Sequence, residues 1–433
     1  MTKDFFLIKG LAGKKKLKGE IKVNGAKNAV LPAIASSVLF KDEVRFQNVP
    51  NINDVGMMLE LISDLGGETE RTSRSSLAIN AAEMKKTEMD RTLSKRMRAS
   101  IILSGPILSR FGKVAFPHPG GCVIGERPID MFLEGFKKMG ASAKEEDEKY
   151  ILEAKGGKLK GAEIFFKIQT VTGTETFLMA AILAEGKTIL KNCAMEPEIA
   201  SLADFLVECG AKIKGAGTPV IEVEGGGFLE AKGISYKTIP DRIEAGSFLI
   251  LGALAADELL ISNCNPEHLE SLVETMRGCG VKIEAGKTFL KITGNGKAKN
   301  SSFRSTNVKT HEYPGFPTDI QAPMAVFLTQ VSGESAIFET IFENRLNYTQ
   351  DLVKMGADIK LWDSLRATIK GPSDLRGKEL DGPDIRAGLA YVIAAIIAKG
   401  DSVINNIHYI DRGYEKIEER LRKIGVEIER VTN

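Results

Sequence analysis

The stretch "LADFLVECGAKIK", residues 202–214, decides the fold because it recurs along the chain. An amphipathic helical run ends in an apolar residue and a glycine, and a short alternating strand follows. The same phrase reads "LELISDLGGETE" at 59–70, "LEGFKKMGASAK" at 133–144, "LVETMRGCGVKIE" at 272–284, "TQDLVKMGADIK" at 349–360 and "IEERLRKIGVEIE" at 417–429. The glycines are Gly66, Gly140, Gly210, Gly280, Gly356 and Gly425, spaced by 74, 70, 70, 76 and 69 residues. Such a near-constant period marks a repeated supersecondary unit. Glycine belongs just past a helix end because the left-handed conformation needed there brings it no side-chain clash.

Each unit also carries an earlier helix followed by a turn and a strand. These segments are "AVLPAIASSVLFKDEVRFQNV" (29–49), "ASIILSGPILSRFGKVAFP" (99–117), "TFLMAAILAEGKTILKNC" (176–193), "GSFLILGALAADELLISNC" (246–264), "APMAVFLTQVSGESAIFETI" (322–341) and "AGLAYVIAAIIAKGDSVINNI" (387–407). The earlier helix is apolar nearly all round and is expected to be buried; the later one is amphipathic and should face water on one side. Six α/β units in 433 residues exceed a single core, and three per domain fits the size limits.

Composition narrows the function. Lys plus Arg number 59 against 57 Asp plus Glu, a net charge of +2, so neither a nucleic-acid surface nor an acidic tail is written in. The longest apolar runs, "FLILGALAA" and "LAYVIAAIIA", are short for a membrane span, and the first residues hold no apolar core of signal-peptide length. A soluble cytoplasmic protein with no nucleic-acid or membrane partner is expected, with the basic run Lys14 to Lys18 read as a solvated turn. Five cysteines without a CxxC pair, and four histidines, give no metal-ligand spacing. Reduced thiols and no structural metal are expected.

The repeat also sorts the cysteines. Cys193, Cys209, Cys264 and Cys279 occupy positions that are apolar in the other units, where a buried thiol is an ordinary small hydrophobe. Cys122 does not. From strand end to repeat glycine the other units take 15 to 18 residues, whereas the second takes 24, from Phe116 to Gly140. The surplus of roughly seven residues falls in "FPHPGGCVIGERPID", residues 116–130. A thiol on a glycine-rich loop near Arg127 is suited to act as nucleophile and proton donor, and the glycines suit a lid that closes over a ligand.

The starts of the apolar helices carry Lys27 and Asn28, Arg96 and Arg98, Thr172, Thr174 and Glu175, Asp241, Arg242 and Glu244, Asp319, and Asp384 with Arg386. Helix N-termini attract anions. If the three helices of each domain run parallel, both sets of N-termini could face one cleft suited to a doubly phosphorylated substrate. Capping explains residues such as Asp241; it does not call for Lys27, Arg98 or Arg386. Arg127, Arg345 and Arg412 follow strands, where ligand loops of α/β proteins gather.

"GAKNAVLPAIAS" (25–36), "PGGCVIGERPID" (119–130), "FPTDIQA" (316–322), "FENR" (342–345) and "HYIDRGYEK" (408–416) together resemble the UDP-N-acetylglucosamine 1-carboxyvinyltransferases, a family of enolpyruvyl transferases. The resemblance implies an α/β fold of two inside-out α/β barrel domains, each of three βαβαββ repeats with helices inside. One domain would span 27–239 and carry the Cys122 loop, and the other would be discontinuous, 1–26 plus 240–433. It implies transfer of enolpyruvyl from phosphoenolpyruvate to the 3′-hydroxyl of UDP-N-acetylglucosamine with release of phosphate, the first committed step of peptidoglycan synthesis, with no cofactor and no metal. By resemblance Cys122 is the general acid and Asp319 contacts the attacking hydroxyl. Lys27, Asn28, Arg127 and Arg412 bind phosphoenolpyruvate, with Lys27 and Arg412 also counted as catalytic. Arg98, Arg127, Pro128, Ile129, Asp130, Met131, Asp319 and Ile341 hold the sugar nucleotide, and Asp384, Arg386 and Arg345 lie elsewhere in the cleft. Where some members carry Lys at the first of four nucleotide contacts, this chain has Ile168, with Lys167 one residue early, so the contacts from Lys167 to Val171 stay open.

Three rivals are weighed against this. The sister transferase of the shikimate pathway shares the six units, but its resemblance does not extend to a thiol at this site. A cysteine hydrolase would need a histidine partner for Cys122, and His118 lies only four residues away in the same loop. A non-enzymatic repeat scaffold leaves the cationic helix starts unexplained.

Overall fold

The computed structural model of the chain describes residues 4–118, 129–294 and 303–432. They form two compact units: one takes the residues up to Asn24 together with those from Pro240 onward, the other the residues from Gly25 to Ile239. All six repeat glycines have positive φ, from 86° at Gly140 to 107° at Gly356. The left-handed turn ends each amphipathic helix and starts the next strand.

Among the described residues there are six separate sheets, three in each unit, five of four strands and one of three. The five four-stranded sheets share one plan. In the third repeat, Glu163–Phe165 runs parallel to Lys187–Lys191, with Ile164 opposite Leu190, and the buried helix Val171–Ile182 joins them. Val220–Glu224 then pairs antiparallel with Lys187–Lys191 on one side and Lys212–Lys214 on the other. Ile221 and Val223 are buried while Val220 and Glu224 face water, the two-residue alternation of a sheet covered on one face.

Two sheets in the Pro240-onward unit are completed from the N-terminus. Leu17–Lys22 pairs parallel with Ala256–Ser262, placing Ile21 opposite Ile261. Phe5–Lys9 lies between Asp401–Asn405 and Glu427–Val431, antiparallel to both, with Ile8 opposite Ser402 and Ile428. The other unit closes its own first repeat from its far end, where Ser235–Lys237 runs parallel to Val44–Gln47.

The apolar helices sit inside. In one unit Val171–Ile182 packs on both Lys27–Ser36 and Ser104–Phe111; in the other, Arg242–Ala255, Gln321–Leu328 and Ile385–Ile397 pack on one another. Every residue of Arg242–Ala255 is buried, and so is every residue from Gly173 to Ile182. Each fully buried Leu or Phe among them contributes about 1.5–3 kcal/mol relative to exposure. One close helix approach needs a glycine: a Cβ on Gly105 would lie 2.3 Å from the Thr176 carbonyl oxygen. Outer helices such as Asn53–Asp64 bury one stripe, including Val55, Met58, Leu61 and Ile62.

Two local expectations are corrected. The second apolar helix is not one element: Arg91–Arg96, capped by Asp90, gives way to a 3₁₀ turn at Arg98–Leu103 and then to Ser104–Phe111. Met97, at φ −139° and ψ 113°, breaks the helical path. The basic run is not wholly a solvated turn either: Leu17 and Lys18 are in a strand, and the Lys15 ammonium lies 4.9 Å above the Phe303 ring, where burial lowers its pKa. Cys193, Cys209, Cys264 and Cys279 are buried free thiols. No helix among the described residues is long and apolar enough to cross a membrane.

Candidate active site

Charged residues gather at the N-terminal ends of the buried helices, one cluster in each unit. In the Pro240-onward unit the centre is Asp319, in the 3₁₀ turn Thr318–Ile320 that leads into Gln321–Leu328. Arg345 Nη2 donates to Asp319 Oδ1 at 2.7 Å, and Arg386 donates to Oδ2 from Nε at 3.2 Å and Nη2 at 2.9 Å. Both guanidinium side chains are buried, 4% and 7% exposed, whereas Asp319 keeps 27%. Two cations thus fix one carboxylate at the rim of a buried helix, and charge-assisted bonds of this kind are the strong ones.

Each arginine is itself anchored. Arg386 Nη1 donates to the Tyr414 hydroxyl at 2.9 Å. Burial opposes the Arg386 cation, but Tyr414, Asp319 and Asp241 together outweigh it and hold its pKa up. Burial pushes the Tyr414 phenol up to about 12, partly offset by Arg386. Arg345 Nη1 donates to Thr318 Oγ1 at 3.0 Å, and that hydroxyl lies 2.9 Å from both Glu339 oxygens. Glu339 Oε1 also accepts from the N–H groups of Ile341 and Phe342, at 2.9 and 3.2 Å. Asp384 caps Ile385–Ile397, accepting from the N–H groups of Arg386 and Ala387. Arg412 follows the short helix His408–Asp411 and is half-buried.

In the Gly25–Ile239 unit, Lys27 opens Lys27–Ser36, whose N-cap, Ala26, makes no side-chain capping bond. Its ammonium lies 3.4 Å from Asp54 Oδ2; the two side chains are 13% and 2% exposed. Asn28 and Arg98 are half-buried. Ile129 is buried, Asp130 is exposed in the first turn of Asp130–Lys138, and Met131 packs part-buried against the core. Lys167 is paired on the surface with Glu134 at 3.3 Å, beside an exposed Ile168. Glu175 is buried in Val171–Ile182, and burial, then the charges of Glu198 and Glu196, push its pKa well above the usual carboxylate range. Cys122, Arg127 and Pro128, with most of the loop around them, lie outside the described residues.

The structure therefore brings Asp319, Arg345 and Arg386 together, sets Asp384 and Ile341 on the same network, and puts Lys27 on a buried acidic partner. Asp54, Glu339, Tyr414 and Glu175 as a buried carboxyl carry no signal in the sequence that singles them out; each acquires its role only from what folding places beside it. No group of His, Cys, Asp and Glu able to hold a metal occurs among the described residues.

Comparison with known proteins fits this arrangement. Residues 11–421 match the family model described as EPSP synthase (3-phosphoshikimate 1-carboxyvinyltransferase). The chain is 44% identical to UDP-N-acetylglucosamine 1-carboxyvinyltransferase 1 of Caldanaerobacter subterraneus subsp. tengcongensis, covering 96% of this chain and 97% of that protein. It is 42% identical to the UDP-N-acetylglucosamine 1-carboxyvinyltransferase of Desulforapulum autotrophicum, over 97% and 99% of the two chains. Among solved structures, the enolpyruvyl transferase NikO of Streptomyces tendae superposes with a TM-score of 0.86 over the full length of both chains at 21% identity, which speaks for the fold. An EPSP synthase of Acinetobacter baumannii gives 0.72 at 17% identity, over 99% of this chain and 100% of that one. With one sequence relationship running nearly end to end and six repeats shaped as two sets of helix-filled sheets, the chain belongs to the UDP-N-acetylglucosamine 1-carboxyvinyltransferases within the wider EPSP synthase family.

Proposed function

We propose that this chain transfers the enolpyruvyl group of phosphoenolpyruvate to the 3′-hydroxyl of UDP-N-acetylglucosamine, releasing phosphate, in the cytoplasm and at the start of peptidoglycan synthesis. The observation that carries the reading is full-length identity above 40% to proteins bearing that name, on a chain that also holds Lys27, Asn28, Cys122, Arg127, Asp319 and Arg412. Lys27 and Cys122 lie in the stretch from Gly25 to Ile239, and Asp319 and Arg412 in the residues from Pro240 onward.

In this mechanism the methylene carbon of phosphoenolpyruvate takes a proton from the Cys122 thiol. The 3′-oxygen attacks the adjacent carbon and passes its proton to Asp319. The resulting tetrahedral adduct then expels phosphate as the Cys122 thiolate takes a proton back from the methyl carbon, which forms the enol ether, and the proton held by Asp319 leaves with the phosphate. Lys27, Arg127 and Arg412, with Asn28, neutralise and orient phosphoenolpyruvate. Arg98, Arg127 to Met131, Asp319 and Ile341 hold the sugar nucleotide. The pinning of Asp319 by Arg345 and Arg386 supports the reading, because a group that must meet one hydroxyl gains from a fixed orientation.

The test is phosphate release from phosphoenolpyruvate with UDP-N-acetylglucosamine or shikimate 3-phosphate as acceptor, for the wild type and Cys122→Ser. Release with the sugar nucleotide alone, abolished in the variant, is expected. Release with shikimate 3-phosphate instead would transfer the chain to the sister activity, and release with neither would refute both.

A further inference from the structure

Glu339 is a carboxylate with no exposure to solvent, one residue beyond the strand Gly333–Phe338. Burying a carboxylate costs several kcal/mol unless its partners compensate. Its bonds come from the Thr318 hydroxyl and the N–H groups of Ile341 and Phe342, none of them a cation. Capping two N–H groups of a turn needs only a neutral oxygen, so the charge calls for another reason.

That reason lies in the direction of the hydrogen bonds. An ionised carboxylate only accepts, so the Thr318 hydroxyl must point its proton at Glu339. The hydroxyl oxygen is then left to accept from Arg345 Nη1, and Arg345 turns its Nη2 onto Asp319. A glutamine in place of Glu339 could present its NH₂ to Thr318. The hydroxyl oxygen would then be shared between that NH₂ and Arg345 Nη1, and with the negative charge gone the hold on the guanidinium would weaken.

We propose that Glu339 is a positioning residue for the acceptor. Through Thr318 and Arg345 it fixes the Asp319 carboxylate, and through two backbone bonds it fixes the turn at Ile341. The inference rests on the reading above, in which Asp319 and Ile341 meet the sugar nucleotide while phosphoenolpyruvate is held by other residues.

The experiment measures steady-state kinetics of Glu339→Gln, Thr318→Val, Thr318→Ser and the Glu339→Gln/Thr318→Val double variant, each normalised to its folded fraction. For Glu339→Gln the KM for UDP-N-acetylglucosamine should rise roughly tenfold and kcat should fall by a similar factor. The KM for phosphoenolpyruvate at saturating acceptor should stay within about twofold. Thr318→Val should behave alike, Thr318→Ser should retain near wild-type values, and the double variant should be no worse than either single one, as for residues acting in one chain. A merely structural Glu339 would lower the folded fraction and leave both KM values alone, and that outcome overturns the proposal. Multiplicative losses in the double variant overturn it too. If the wild type releases no phosphate with UDP-N-acetylglucosamine, the functional reading falls and takes this inference with it. An active wild type with an unmoved acceptor KM in Glu339→Gln defeats the inference alone.

Discussion

Replacing Asp319 by Asn should destabilise the unit that contains it. Catalytic carboxylates are often held at a cost to stability, so losing one commonly strengthens a fold. Here the opposite is expected, because Arg345 and Arg386 are 4% and 7% exposed and both bond this carboxylate. Removing the anion leaves two buried cations facing a neutral amide. Breaking a buried ion pair from one side costs about 3–5 kcal/mol. Asp319 keeps 27% of its surface, and Asn can still accept one hydrogen bond, so about 2–3 kcal/mol is the better figure. With a urea dependence of about 2–3 kcal/mol per molar, the midpoint should fall by about 1 M. Trp362, the single tryptophan of the chain, reports on the same unit, since the Lys360 ammonium stands 3.5 Å above its ring in the folded state. A urea midpoint from its fluorescence that is unchanged or higher in Asp319→Asn would refute the electrostatic account.

Other expectations follow from other parts of the molecule. Fosfomycin, an epoxide phosphonate resembling phosphoenolpyruvate, should alkylate Cys122 alone; mass spectrometry finding no adduct, or one on Cys193, would contradict this. Burial pushes the Cys209, Cys264 and Cys279 thiols up to about 11 and Cys193 up to about 12. They should therefore resist iodoacetamide at pH 7.5 in the native protein and react only after unfolding or in strong base. Glu175, whose pKa is raised by burial and by Glu198 and Glu196, favours the folded state when protonated and loses that contribution as pH rises through its folded pKa. Glu175→Gln should hence raise the melting temperature at pH 8 by roughly 2–4 °C per kcal/mol recovered, with the gain shrinking toward pH 5. Gly105→Ala should cost about 1–3 kcal/mol by overpacking, measured as a lower urea midpoint, because its Cβ would meet the Thr176 carbonyl at 2.3 Å.

What could be read from the sequence was what is local. A glycine at positive φ after an amphipathic helix, and a helix apolar all round, each leave their mark within a dozen residues, and six copies made the period plain. Pairing between Ile21 and Ile261 leaves no such mark, because neither strand differs from any other until its partner is known. The same division runs through the site. Lys27, Asp319 and Arg386 drew notice as charges at the starts of apolar helices, and Arg345 as a charge after a strand. That two of these arginines share one carboxylate depends on how neighbouring repeats pack. Asp384 drew notice on the same grounds as Asp319, yet its carboxylate caps its own helix. Glu339 and Asp54 read as ordinary acidic residues, since nothing in their flanks tells a solvated carboxylate from a buried one.

The strands supplied by the N-terminus also set an order of events during synthesis. Phe5–Lys9 and Leu17–Lys22 are made before the rest of their sheets, and Phe5–Lys9 pairs with strands that end at Asn405 and Val431. At about 5–20 residues per second, that wait lasts roughly 20–80 seconds. The Gly25–Ile239 unit draws all its strands from its own span and can close long before. Meanwhile Phe6, Ile8 and Ile21, all buried in the finished protein, travel on unpaired and partly apolar strands, whose edges invite association with other chains. Strands made early are thus among the last to find their place, and for the length of that delay the nascent protein depends on whatever shields them.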